Sequence, residues 1–248
     1  MIKIVDEMYK EIEGTIYEPS EMWKGINRQF LQLIKKEGLN NFKRTLNYFT
    51  WIITNPLSNP FRNVLKEWIK HPNTEVFSSR FVGDGFLIDS RDYKEFKMTK
   101  RRKLFYTLYV AMLYNYTRRI DNEHLLERIE EPMIGNPLAI NYKGRLVSAE
   151  LCNSVLEYYT IKNHTNRLAK VAEIGAGYGR LAHVFLTASR CKYTIFDIPI
   201  SLYISQEYLS KVFPHLKIFK FRRFKDFSEV EDEYKEADLC FFTPNQIE

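Results

Sequence analysis

Glu173, Gly175, Gly177, Gly179 and Asp197 are the residues of this chain whose types and spacing could do chemistry. The segment V-A-E-I-G-A-G-Y-G-R, Val171 to Arg180, reads as a short apolar strand that runs into a glycine turn and opens a helix. A turn of this kind presents unpaired backbone N–H groups to a ligand, and its glycines remove the Cβ atoms that would block close approach. Dinucleotide sites space their glycines as G-x-G-x-x-G, with the third inside the helix. Here the pattern is Gly175-x-Gly177-x-Gly179 followed by Arg180, which misses that fingerprint by one residue. Two residues before the first glycine stands Glu173, on a strand expected to be buried on both faces. A carboxylate there is costly unless it meets a cation or hydrogen-bond donors. Asp197 ends the next apolar run, 22 positions after Gly175. That is close to the separation of about 20 at which an acid accepts hydrogen bonds from ribose hydroxyls. Ile198 beside it can pack on an adenine face, and Ala176 lies inside the turn.

Acid, glycine turn and ribose acid together select S-adenosyl-L-methionine over a dinucleotide. The alternative for the same residues is an ordinary tight turn, with Asp197 capping the helix that follows. The arrangement resembles class I S-adenosylmethionine-dependent methyltransferases, and more specifically the sugar O-methyltransferase family of bacterial surface-polysaccharide gene clusters. The resembling residues include P-S-E-M-W near Trp23, N-F-K-R-T-L-N-Y-F-T-W from Asn41 to Trp51, and E-P-M-I-G-N-P with Y-K-G-R-L-V-S. They continue with S-V-L-E-Y-Y and the closing F-F-T-P-N-Q, so the resemblance covers nearly the whole chain. It implies a sugar or glycan-precursor hydroxyl as acceptor, covered by the N-terminal helical region. It also implies that the segment after the fourth strand lines the methyl-bearing end of the cofactor. Thr243 and Asn245 are candidates on that ground, against a plain strand-ending turn. A fuller sheet than the four strands countable here is implied as well, so the sheet is expected to be partial.

Methyl transfer from a sulfonium is an in-line displacement that depends chiefly on positioning. A sugar hydroxyl is a weak nucleophile and calls for a general base or a metal ion. Of the five histidines, His164 precedes the first strand and His215 the third, at the edge opposite to where such sheets bind ligands. His183 reads as a packing residue. His71 and His124 could face an acceptor or simply the solvent, and no catalytic base is assigned. In the loop Glu131 to Arg145 and just beyond it, Gly135, Asn136, Arg145 and Ser148 could touch acceptor or cofactor, or serve as turn and cap residues. Competing readings are a non-catalytic or fragmentary S-adenosylmethionine-binding protein, an O-methyltransferase of another small molecule, and, least favoured, a nucleotide-dependent oxidoreductase.

The elements that must position these groups differ between two halves, drawn at 1–145 and 146–248. The first half reads as helices punctuated by Pro, Asn and Gly. One follows Ser20 and carries Trp23, Ile26, Phe30, Leu33 and Ile34, with Gly38 as its stop. Others are expected over Phe42 to Ile53, after Asn59-Pro60 through Val64 to Ile69, over Thr99 to Arg118, and after Asp121. In the second half Ser148 caps a helix to Tyr159, and strand-length apolar runs then alternate with helices. That alternation predicts an α/β fold: a Rossmann-like parallel sheet of about four strands preceded by a mostly helical region. The net charge is +6, but the basic residues are dispersed. The densest run, K-M-T-K-R-R-K, opens a helix, and nucleic acid is not expected as a partner. No run is long enough for a membrane span, and no signal segment is visible, so a cytoplasmic protein is expected. The three cysteines lack metal-ligand spacing and read as free thiols.

Overall fold

The computed structural model describes residues 2–45, 58–89, 94–165 and 168–247. The chain is mixed α/β and divides into two compact units, Met1–Leu31 with Lys162–Glu248, and Gln32–Ile161. The division therefore falls at 161/162 instead of 145/146, and the first 31 residues belong with the C-terminal sheet.

In that unit α1 (Ile2–Ile12) buries Val5, Met8 and Ile12, one stripe at helical spacing. Its neighbour is the later helix α7 (Pro199–Val212). The helix after Ser20, α2 (Glu21–Glu37), ends at Gly38, whose φ of +63° suits glycine. Phe30, Leu33 and Ile34 are buried as expected, whereas Trp23 at its start is exposed.

Gln32–Ile161 is built around α4 (Lys100–Ile120), capped by Thr99, whose Tyr106, Val110, Ala111 and Leu113 are buried. Ahead of it α3 (Asn59–Lys70) is capped by Ser58 with proline in its first turn. Ile69, expected on its apolar face, is exposed. The helix expected over Phe42 to Ile53 begins instead as a 3-10 turn, Phe42–Arg44, and its part from residue 46 lies outside the described residues. The unit is also less helical than its composition indicates. Strands β1 (Arg80–Val82), β2 (Phe86–Asp89), β3 (Lys94–Lys97), β4 (Ala139–Tyr142) and β5 (Arg145–Val147) form two small antiparallel sheets. The stretch Glu131 to Arg145, expected as a loop, contains the turn of the β4–β5 hairpin. Lys143 and Gly144, with φ of 53° and 78°, give the two left-handed positions such a turn requires. Asp121 does cap the segment after α4, its carboxylate accepting the N–H groups of Leu125 and Leu126 at 2.7 and 2.8 Å. That segment is only a 3-10 turn. Ser148 opens α5 (Ala149–Lys162).

The sheet of the first unit holds β6 (Lys170–Ile174), β7 (Lys192–Phe196), β8 (Ile218–Phe219) and β9 (Leu239–Phe242), all parallel, in the spatial order β6-β7-β9-β8. Between them run α6 (Arg180–Ala188), α7 and α8 (Glu231–Glu236). Tyr193, Ile195, Leu239 and Phe241 are buried along one face. Cys240, Phe242 and Phe219 pack on the other with Val230, Ala237 and Tyr234. The ammonium of Lys192 reaches the carbonyls of Tyr234 and Ala237 at the end of α8 and lies 4.1 Å from the Tyr234 ring centroid. In the doubly wound order 3-2-1-4 the first strand is internal. Here, among the described residues, β6 is an edge strand, with Ala172 and Ile174 exposed. Among the described residues no helix is long and apolar enough to cross a membrane.

Candidate functional site

The glycine turn joins β6 to α6, and its three glycines all take left-handed backbone: φ is 80° at Gly175, 61° at Gly177 and 87° at Gly179. Side chains rarely adopt this region. The three are not equivalent. A Cβ built on Gly175 meets nothing within 4 Å, whereas one on Gly179 would stand 2.6 Å from Leu209 Cδ1. Gly175 therefore leaves open space at the end of β6, and Gly179 allows α6 to approach α7. Packing of this sort is the task of the third glycine in dinucleotide sites, met here at a different spacing. Gly175 N–H is tied to the carbonyl of Phe196 at 2.8 Å, and Ala176, itself buried, accepts from Gly179 N–H at 2.9 Å.

Asp197 completes the turn. Its Oδ2 accepts the N–H of Gly177 at 2.8 Å and its Oδ1 accepts the N–H of Ile198 at 2.7 Å. Burial is the largest influence on this carboxyl and pushes it up to about 7. The two N–H bonds oppose that shift, and the charge of Glu173 adds to it. Ile198 is half-buried and stands at the start of α7, ahead of Pro199. Glu173 lies on the same sheet face as Tyr193, whose hydroxyl donates to its Oε2 at 2.9 Å. Tyr193 is therefore a donor that the sequence reading missed. Strand register carries the only signal for it, since Val171 is opposite Tyr193 and Glu173 opposite Ile195.

The structure thus brings together Glu173, Gly175, Ala176, Gly177, Asp197 and Ile198. Thr243 is different. It is fully buried, and both its N–H and its hydroxyl meet Gln246 Oε1 at 3.1 Å, inside the turn Pro244–Ile247. These contacts give it a structural role in the turn that ends β9. Asn245 Nδ2 reaches Glu11 at 3.5 Å.

The loop candidates of the other unit also have structural tasks. Ser148 Oγ caps α5 by accepting Leu151 N–H and donates to Glu131 Oε2 at 2.6 Å. The other carboxylate oxygen of Glu131 meets Lys43 Nζ at 2.6 Å in a buried ion pair. Asn136 is held left-handed and accepts from the buried Arg44 through its backbone and side-chain oxygens. A Cβ on Gly135 would fall 2.3 Å from the Phe42 ring. Arg145 pairs with Glu130 at 3.3 Å. The N-F-K-R-T and E-P-M-I-G-N-P segments therefore interlock.

His183 is buried against Tyr208 and Phe213 as a packing residue. His71 and His124 are exposed, and His124 meets Arg118 and Glu127. Cys152, Cys191 and Cys240 are free and buried. Burial raises the Cys240 thiol to about 11, too high for a reactive thiolate at neutral pH. Among the described residues no cluster of His, Cys, Asp or Glu could hold a metal ion.

Two cavities among the described residues of the sheet-bearing unit can be set against the site. One, about 760 Å³, runs over the sheet face at Ala172, Thr194, Phe196 and Phe242. The other, about 500 Å³, lies beside Tyr9, Ile12 and Arg28. Neither is lined by the glycine turn or Asp197, so the ligand reading rests on hydrogen-bond geometry and not on cavity size. For an adenosyl ligand the fit is local. Gly175 leaves space where a Cβ would stand, and Asp197 offers a buried acceptor two bonds short of its capacity. Comparisons of the chain with protein-family models, curated proteins and solved structures find no match.

Proposed function

We propose that the chain is an S-adenosyl-L-methionine-dependent O-methyltransferase with a Rossmann-like cofactor site, acting in the cytoplasm on the hydroxyl of a sugar or glycan precursor. The observation that carries the reading is the bond from Gly177 N–H to Asp197, which ties the glycine turn to the acid ending the next strand. The cofactor would supply a methyl group activated on a sulfonium. Gly175 and Gly177 would admit it close to the backbone, Asp197 would accept from its ribose hydroxyls, and Ile198 would lie against its adenine. Glu173, already held by Tyr193, would set a negative charge near its amino group. The sugar acceptor rests on the family resemblance of the interlocking N-terminal segments. The edge position of β6 favours a second reading, a protein that binds the cofactor without methyl transfer.

Calorimetry with S-adenosyl-L-methionine tests the first step. Binding by the intact chain, weakened at least about tenfold by Asp197→Ala, is expected from the loss of a charged hydrogen-bond acceptor. An intact, folded chain that does not bind overturns the reading. Transfer of labelled methyl to glycan precursors then separates the enzyme from the binding protein.

A further inference from the structure

We propose that ligand binding at the glycine turn is coupled to the charge of Asp197: the ionised carboxylate latches the turn and accepts the ribose, and one proton on it weakens both. The ligand half rests on the S-adenosyl-L-methionine reading above. The latch half rests on the geometry of the free chain alone.

Both oxygens of Asp197 are already engaged, one by Gly177 N–H and one by Ile198 N–H. An ionised carboxylate has about four acceptor positions, so two remain, and a vicinal diol brings two O–H donors. A proton converts one acceptor position into a donor. That leaves one acceptor position for a diol with two O–H donors, and it turns the charge-assisted bonds from Gly177 and Ile198 N–H into weaker neutral ones. Gly177 sits in left-handed backbone at φ 61°, and its N–H bond to Asp197 fastens the turn to the end of β7. From β6 the charged group acting on Asp197 is Glu173, another carboxylate. From α7 it is met by the N–H of Ile198, and from β9 by the carbonyl of Phe242, which accepts its own N–H at 3.3 Å. No lysine or arginine figures among the influences on this group. With burial and Glu173 both favouring the proton, the carboxyl titrates at about 7.

The test follows Gly177 and Ile198 amide resonances in the ligand-free chain from about pH 5.5 to about 8.5, a range that brackets the midpoint. In parallel, calorimetry measures the affinity of S-adenosylhomocysteine and of 5′-methylthioadenosine. The second probe keeps the ribose diol but has no amino-acid part to titrate. Both amides are expected to shift with one common midpoint near neutrality. Affinity for both probes is expected to fall about tenfold per pH unit below that midpoint. Asp197→Asn is expected to bind weakly with a flat profile, and should that variant not fold, the wild-type amide titration still decides. Amides that do not titrate overturn the latch. Probes that bind equally well across the range overturn the coupling while leaving the cofactor reading intact. Titrating amides with no binding of either probe at any pH overturn the ligand half together with the cofactor reading.

Discussion

Tyr193 and Glu173 meet across the parallel pair β6–β7, the wholly buried phenol donating to the carboxylate at 2.9 Å. The acid ahead of the glycine turn is therefore held by the protein itself, on the sheet face that also carries Ile195.

Removing that donor should be felt without any ligand. Tyr193→Phe leaves Glu173 short of a partner at a part-buried site, which costs about 1–3 kcal/mol. The denaturant midpoint should drop accordingly with an unchanged slope. Glu173→Gln, which still accepts from the phenol, should lose less.

The glycines should separate stability from binding. Gly175→Ala faces open space and carries only the left-handed backbone cost, about 1 kcal/mol. Gly179→Ala adds a contact with Leu209 to the same cost and should lose about 1–3 kcal/mol. Thermal unfolding ranks the two. Calorimetry should show the reverse order for cofactor affinity, because only Gly175 borders the open space.

The Lys43–Glu131 pair is buried on both sides. Truncating one partner, as in Lys43→Met, strands the other charge and should cost about 3–5 kcal/mol. The double variant Lys43→Met with Glu131→Gln should recover part of that loss, since glutamine still accepts from Ser148. Chemical denaturation of the single and double variants gives the coupling.

Asp197 also predicts a pH dependence of stability. Its folded value, about 7, lies above the ordinary carboxylate value of 3.8. The folded chain therefore holds a proton that the unfolded chain has released. This contribution is full below the unfolded value and is lost as pH rises through about 7. Denaturant midpoints should accordingly decline with rising pH across that window. Asp197→Asn should remove that part of the decline.

The strand–turn–helix around Gly175 was legible because it is local: an apolar run, three glycines and a helical stripe occur within one segment. The order of the strands was not. Whether β9 lies beside β6 or β7 is decided by pairings between Tyr193 and Leu239 or Ile195 and Phe241, and nothing in either segment names its partner. β1, β4 and β5 are three or four residues long, too short for alternation to show against helical neighbours. The role of Asn136 depended on Arg44, 92 residues away, and that of Ser148 on the fold bringing Glu131 back across 17 residues, so loop chemistry alone left ligand and cap equally open. The contacts of Thr243 were hidden for a similar reason: its partner Gln246 closes a turn that only the three-dimensional chain reveals.

The sheet-bearing unit is discontinuous in sequence. Glu11, on α1, meets Arg223 at a separation of 212 residues, and α1 lies against α7. Contacts closed over so long a stretch of chain form late, because the loop-closure entropy precedes any reward. During synthesis α1 emerges before its neighbour α7 and must wait for it, while Gln32–Ile161 lies contiguous between them and can collapse in the interval. Helix α1 is thus an element with an exposed apolar stripe until α7 has been made, the kind of surface on which a nascent-chain chaperone acts.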